Sequence, residues 1–374
     1  MTATTDQPQV RIVVVDDSAF MRKALTMMLE SDPGVKVVAT ARDGEEGIEK
    51  VKRLKPDLIT MDIEMPRMDG LTALREIMMT MPTPVMMISS LTTEGASATL
   101  DALEMGAVDF IPKGLSYVSL DIVKIKEELL AKIKDIVRRR HILMARFRAA
   151  RFPRASARAA SVERSAGRAA PAAAKVPIKP TVKRHHQVGL VAIGSSTGGP
   201  PALQTIIPLL PRNLPVGIVV AQHMPATFTK SLADRLNSLS RVTVAEASSG
   251  DPLEPGTVLI APGGRHLTVV KRGSRSHVVV SDKPEGTLYK PCVDVTVNSC
   301  VEAFGGSTLG VILTGMGSNG SDGMKKVKSR GGVVIAQNEQ TCVVYGMPRA
   351  VIESGAADII TPIENVAAEI MSFF

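Results

Sequence analysis

Two α/β units in tandem, each built on a mostly parallel sheet, are the architecture this sequence predicts. Three observations lead there. Short apolar runs of the kind that form strands buried on both faces alternate with stretches of helical period. That alternation stops near residue 137 and restarts near residue 188. The charge changes at the same two places. Residues 1–137 carry 16 Lys and Arg against 22 Asp and Glu, a net of −6; residues 138–187 carry 14 against 1, a net of +13; residues 188–374 carry 15 against 14, a net of +1. At roughly 150 residues per domain, 374 residues hold two or three domains. The expected division is 1–137, a basic Ala/Arg/Pro-rich linker at 138–187, and 188–374.

In the first unit, Val10–Val15 is a buried strand and Ser18 caps a helix running to Glu30. Val35–Thr40, Asp57–Met61, Val85–Ile88 and Val108–Ile111 supply four more strands. Helices fall at Gly44–Leu54, Leu71–Met79, Thr93–Glu104 and Leu120–Val137, the last continuing past Arg138. Five β-α pairs of this length make one doubly wound parallel sheet. From Arg151 to Pro180 the chain has hardly any large aliphatic residues, too little apolar surface to offset ordering entropy, so it is expected to be an open tether or a basic arm. In the second unit, Val188–Ile193, Val216–Ala221, Val258–Ile260, Val278–Ser281, Leu309–Leu313 and Val333–Ala336 read as strands. Pro200–Leu210, Phe228–Leu239, Val293–Phe304, Gly323–Ser329 and Glu364–Phe373 read as helices.

Composition removes several classes. With 44% hydrophobic and 22% charged residues, the chain is not globally disordered. No apolar run reaches the ~18–20 residues of a membrane span, and Met1–Gln9 lacks the basic and apolar regions of a secretory signal. Three cysteines without Cys-x-x-Cys spacing argue against a disulfide framework or a zinc site and for a reducing cytoplasm. No Trp and only eight Phe and three Tyr argue against base-stacking nucleic-acid modules.

Chemistry concentrates at strand ends, where open parallel sheets bind ligands. Asp16 and Asp17 follow the first strand, Asp62 the third, Ser89 ends the fourth, and Lys113 follows the fifth. Three crowded carboxylates call for a hard cation such as Mg²⁺. A metal there would let Asp62 attack phosphorus, with Lys113 and the Ser89 hydroxyl supporting the acyl phosphate. In the second unit a strand runs into Gly194-Ser195-Ser196-Thr197-Gly198-Gly199-Pro200. The turn suits either phosphate binding or a nucleophile, Ser196, beside oxyanion donors. No Lys follows the glycines, so it is not a Walker loop. Among six histidines, His223 directly follows an apolar strand and is the preferred base; His266 is the second candidate.

The segments VVVDDSAFMR, MDIEMPRMDG, VMMISS and DFIPK resemble the receiver domain of two-component response regulators, with its flavodoxin-like five-stranded sheet. The resemblance implies Asp62 as phospho-acceptor, Asp16, Asp17 and the Glu64 carbonyl beside it as Mg²⁺ ligands, and Ser89 and Phe110 as the switch pair, with Lys113 as the cation beside them. Gly114 follows Lys113 where receivers carry Pro. GSSTGG, QHMP, APGGRH, YKPCVDV, LTGMG and VVYGMP resemble the catalytic domain of the CheB family of chemotaxis methylesterases. That implies a phosphorylation-regulated hydrolase that demethylates glutamate γ-methyl esters and deamidates glutamines on chemoreceptors. It implies Ser196 as nucleophile, His223 as base, oxyanion donors at the Thr197–Gly198 turn with Met316 near it, a histidine kinase as phosphodonor, and no cofactor in the catalytic domain. The family's triad aspartate falls at Asn319 here. An amide can accept the imidazole Nδ1–H but cannot balance imidazolium charge; Asp322 is a candidate substitute. The alternatives are a receiver-controlled binding module whose esterase activity Asn319 has weakened, and a receiver-controlled transcription factor using the basic linker.

Overall fold

The computed structural model describes residues 9–113, 122–151 and 187–374. The peptide between Lys113 and Gly114, where a departure from receivers was noted, and residues 152–186 of the tether lie outside them.

The first unit is a five-stranded parallel sheet in the order β2-β1-β3-β4-β5. Its strands are β1 (Val10–Val15), β2 (Val35–Ala41), β3 (Leu58–Asp62), β4 (Val85–Ser89) and β5 (Asp109–Pro112). The helices are α1 (Ala19–Leu29), α2 (Gly44–Leu54), α3 (Gly70–Thr80), α4 (Thr93–Met105) and α5 (Ile122–Arg151). Strands β3 and β4 are buried throughout, as continuous apolar runs require when helices cover both faces. Helices α1–α4 start at Ser18, Asp43, Asp69 and Thr92, whose side chains accept the amides of Met21, Glu46, Thr72 and Gly95. These caps satisfy N-terminal amides that the helix itself cannot. Helix α5 runs 30 residues to Arg151, so residues 138–151 of the expected linker are helical.

The second unit is a seven-stranded parallel sheet, β14-β13-β12-β6-β7-β9-β8. It comprises β6 (Leu190–Ser195), β7 (Gly217–Gln222), β8 (Thr243–Glu246), β9 (Thr257–Ile260), β12 (Thr308–Ile312), β13 (Val333–Gln337) and β14 (Ile359–Thr361). The helices are α6 (Gly199–Ile206), α7 (Ala226–Leu239), α8 (Val293–Phe304), α9 (Ser321–Ser329), α10 (Met347–Glu353) and α11 (Ile363–Met371). The expected strand at Val278–Ser281 does not join this sheet. It belongs to β11 (Arg275–Ser281), which pairs antiparallel with β10 (His266–Arg272) in a separate hairpin. Past the buried His266 the hairpin alternates: Leu267, Val269, Val278 and Val280 are buried, and the residues that follow each of them less so. Hydrogen bonds from Thr296 Oγ1 to Leu267 O (2.9 Å) and from Val269 N to Ser299 Oγ (2.9 Å) fasten it to α8.

The two units meet along α4, α5 and the end of β5. Phe110 stacks on Phe228 of α7 with ring centroids 4.5 Å apart. Arg235 of α7 pairs with Asp101 (2.6 Å) and Glu104 of α4. The extension of α5 sends Arg139 to Glu339 (3.1 Å) and Arg146 to Glu364 (2.7 Å) and the Thr341 carbonyl (2.6 Å).

Candidate active site

At the carboxyl edge of the first sheet, carboxylate oxygens of Asp16, Asp17 and Asp62 lie within 4.8 Å of one another. Asp16 and Asp62 are buried, and Asp16 Oδ2 has no hydrogen-bond partner. Burial raises the Asp62 pKa to about 6 against the pull of the Lys113 ammonium, with Asp16 adding repulsion. Burial likewise raises Asp16. Lys113 Nζ donates to Asp62 Oδ2 at 2.5 Å. Crowded, desolvated carboxylates with an orphan oxygen are the donor set of a hard divalent cation, so the residues fit Mg²⁺. Glu64 contributes no carboxylate to the cluster; its amide donates to Asp62 Oδ1 (3.4 Å). The Ser89 hydroxyl is turned to α4, donating to Gly95 O (3.1 Å) and accepting from Thr99 Oγ1 (2.7 Å). Phe110 is buried against the second unit.

In the second sheet, β6 is central, flanked by β7 and β12. The Ser195–Gly199 turn at its end is held from both sides. The Ser196 amide donates to Thr314 O after β12, and the His223 amide after β7 donates to Ser195 O, each at 3.0 Å. Buried Gln222 accepts from Ser195 Oγ (2.6 Å) and donates to the carbonyls of Ser196 and His223, both at 3.0 Å. Gly198 has φ +74°, a left-handed turn that suits glycine. A Cβ on Gly315 would sit 2.8 Å from Ser196 Cβ, so that position must stay bare. Because the Ser196 amide is already bonded, the donors the turn can offer are those of Thr197 and Gly198. Met316 packs partly buried against the apolar core.

His223 stacks on Tyr289 with centroids 4.3 Å apart. Its Nε2 lies 2.9 Å from Asn319 Oδ1, and its Nδ1 is buried with no partner. Nδ1 was the nitrogen expected to face Asn319. The chain enters the site at β7 beside Ser195, so the distal Nε2 is the one that reaches the loop after β12. Burial, with the Lys132 ammonium adding to it, lowers the His223 pKa to about 4 even though Asn319 favours the charged form. The ring is therefore neutral at pH 7. Asn319 Oδ1 also accepts from Val293 N (2.8 Å), and its Nδ2 donates to Asp294 Oδ2 (2.9 Å) and Cys292 Sγ (3.1 Å). Asp322 does not substitute for the triad acid. It is 82% exposed and pairs with Lys325 at 3.0 Å. His266 is no base either, since its buried ring holds Cys292 N through Nδ1 (3.2 Å) and Thr287 through Nε2 (3.0 Å). Sequence reasoning missed Asp294. It lies inside the quoted YKPCVDV segment but in the first turn of a helix, not at a strand end.

A cavity of about 480 Å³ spans the two units. Ser196, His223 and Tyr289 line one side; Asp109, Phe110 and Lys132 of the first unit line the other. Asp109 accepts from Thr197 Oγ1 (3.0 Å), the residue after Ser196, and lies 3.2 Å from Lys132 Nζ.

Residues 12–122 match the response regulator receiver domain, and residues 191–370 match the CheB methylesterase domain. A protein-glutamate methylesterase/protein-glutamine glutaminase of Oleidesulfovibrio alaskensis is 53% identical over 97% of this chain and 99% of its own length. One from Nitratidesulfovibrio vulgaris is 54% identical with the same coverage. The crystal structure of the Thermotoga maritima CheB methylesterase catalytic domain is 45% identical, covering 50% of this chain and 99% of that one, with a TM-score of 0.49. The chain belongs to the CheB family of receiver-linked protein-glutamate methylesterases and protein-glutamine glutaminases.

Proposed function

We propose that this enzyme hydrolyses γ-glutamyl methyl esters, and more slowly glutamine amides, on the cytoplasmic helices of chemoreceptors, with access governed by phosphorylation of Asp62. The observation that carries the reading is the fixed imidazole. Asn319 Oδ1 already accepts from a backbone amide and can only accept from the ring as well. Nε2 therefore holds the proton, and Nδ1 keeps a lone pair facing away from Asn319. Ser196 Oγ attacks the ester carbonyl while Nδ1 takes its proton. The amides of Thr197 and Gly198, at the uncapped start of α6, receive the oxyanion. The proton passes from Nδ1 to the leaving oxygen and methanol departs. Water, deprotonated by Nδ1, then cleaves the acyl-enzyme to glutamate. With glutamine, ammonia leaves instead. The alternative, a receiver-controlled binding module whose esterase activity Asn319 has weakened, rests on the amide's lack of charge rather than on its position, and turnover separates the two.

In the first unit Asp16, Asp17 and Asp62 would hold Mg²⁺, which supplies positive charge against the carboxylates and the incoming phosphoryl group. Asp62 takes the phosphoryl group from a histidine kinase, and Lys113 moves its ammonium to the new anion. Ser89 and Phe110 respond, and the unit 1–137, tied to 188–374 through the 138–187 segment, loosens its hold over Ser196. A cytoplasmic location follows from the receptor faces acted upon; among the described residues no helix is long and apolar enough to cross a membrane.

Methanol release from methylated receptor membranes tests this. Wild type should release methanol, and more with a small phosphodonor and Mg²⁺. Ser196→Ala should lower release by about 10³-fold or more under every condition, and Asp62→Asn should abolish only the stimulation. Unchanged release from Ser196→Ala would overturn the mechanism.

A further inference from the structure

Resting on the Ser196–His223 reading, we propose that Asp294 is the positioning residue that makes Asn319 competent to orient His223. The sequence places an amide where the family pattern has a carboxylate, and an amide is ambiguous. Its two ends are similar in size, and only one of them suits a histidine that must keep its proton on Nε2. If Asn319 turned over, its NH₂ would face Nε2, that nitrogen would become the acceptor, and the proton would move to Nδ1. The lone pair needed by Ser196 would then be gone.

Two contacts prevent this from opposite sides. Val293 N–H requires an acceptor and faces Oδ1 at 2.8 Å. Asp294 Oδ2 can only accept while ionised, and faces Nδ2 at 2.9 Å. The other oxygen of Asp294 accepts the Gly323 amide at 2.7 Å, which keeps the carboxylate from rotating away. Val293 and Asp294 are consecutive, in the first turn of α8. One short segment thus presents a donor and an anion to the two ends of the same amide. The negative charge absent at position 319 stands one hydrogen bond further from the imidazole, polarising the Asn319 carbonyl toward Nε2–H.

The replacement Asp294→Asn separates this role from a merely structural one. The new side chain can still accept from Gly323 N–H through its carbonyl oxygen, so a residue that only held that amide would tolerate the change. Its NH₂ would then confront the NH₂ of Asn319, and the clash is relieved by turning Asn319 over. The expected result in the full-length protein is a fall in kcat on the order of 10²-fold or more, with KM little altered. The ¹⁵N shifts of the His223 ring should move from the Nε2–H to the Nδ1–H pattern. The double replacement Asp294→Asn with Asn319→Asp exchanges amide and acid. Every donor again meets an acceptor. The carboxylate introduced at position 319 accepts from His223 and Val293, and the amide introduced at position 294 donates to that carboxylate while accepting from Gly323. The double variant should restore the Nε2–H tautomer and bring kcat to within about tenfold of wild type. The proposal is overturned if Asp294→Asn keeps wild-type kcat and tautomer, or if the double variant, with a wild-type melting temperature, keeps the Nδ1–H pattern. The ring shifts report on positioning even if Ser196→Ala proves active, so failure of the underlying mechanism is distinguishable from failure of this inference.

Discussion

The two sheet edges use one architecture for opposite charges. In the receiver unit the carboxyl edge is crowded with acids, and helices α1–α4 each have one N-terminal amide taken up by a capping side chain. Among the described residues the acids there form a donor set suited to a cation. In the esterase unit the corresponding edge carries no acidic cluster among the described residues, and Gly198, which precedes α6, offers no side-chain cap. Within α6 the Gly199 amide is bonded to Ser196 O and Pro200 and Pro201 have no N–H, so the donors left for a developing negative charge are the Thr197 and Gly198 amides just before the helix. Each edge keeps a buried polar atom unpaired, Asp16 Oδ2 in the first and His223 Nδ1 in the second, while the amide of Asn319 is bonded at both ends.

The units differ in access as well, and that difference can be broken. If docking of the first unit closes the second, separating them should have the largest effect. A cut between residues 150 and 180 converts an intramolecular contact, held at an effective concentration of order millimolar, into a bimolecular one. At micromolar enzyme, methanol release without phosphodonor should rise about tenfold or more, and the phosphodonor should add little. Equal release before and after the cut would show that occlusion is not the control. The Arg139, Arg146 and Arg235 pairs do not hold the fragments together in this prediction, because most are partly exposed and worth at most about 1 kcal/mol each.

A smaller effect is expected at Phe110. Its stacking on Phe228 is worth roughly 0.5–1.5 kcal/mol beyond the area buried. Phe110→Ala should therefore raise unstimulated release about two- to tenfold, provided the closed state is the populated one. Because Phe110 is also the expected switch residue, the variant should respond less to the phosphodonor. A variant with unchanged basal release would place the closing contact elsewhere, at Asp109–Thr197.

Much of this was legible in the residues, for a physical reason. A strand buried on both faces is a continuous apolar run, and the residue that ends it lies at the sheet edge by construction. Asp62, Lys113, Ser196 and His223 could be placed that way. The β10–β11 hairpin could not, since its Val278–Val280 run is as apolar as a sheet strand and only its partner distinguishes them. Asp294 was hidden for a related reason. It reaches the site from the first turn of a helix about 70 residues beyond His223, and no period or spacing encodes that approach. Which imidazole nitrogen meets Asn319 was likewise invisible, because it depends on the direction from which β7 delivers the ring. Asp109 reads as an ordinary strand residue until the two units are docked and Thr197 is found 3.0 Å away.

The finest test of the comparison is electrostatic. In the closed arrangement, burial and the Lys132 ammonium of the first unit hold the His223 pKa near 4, below its usual 6.5. The neutral base therefore survives far into acid while the units are docked. Release removes Lys132 and wets the ring, so the pKa must rise toward its ordinary value. A higher pKa means the base is lost sooner as pH falls, and the acid limb of reactivity moves upward, by up to about two pH units. Inactivation of Ser196 by an organophosphorus reagent small enough for the cavity reads this in both states, full-length without phosphodonor and after the linker cut. Coincident acid limbs would mean that the receiver shields the serine without touching the electrostatics of its base, and that the Lys132 charge is spent on Asp109 rather than on the imidazole.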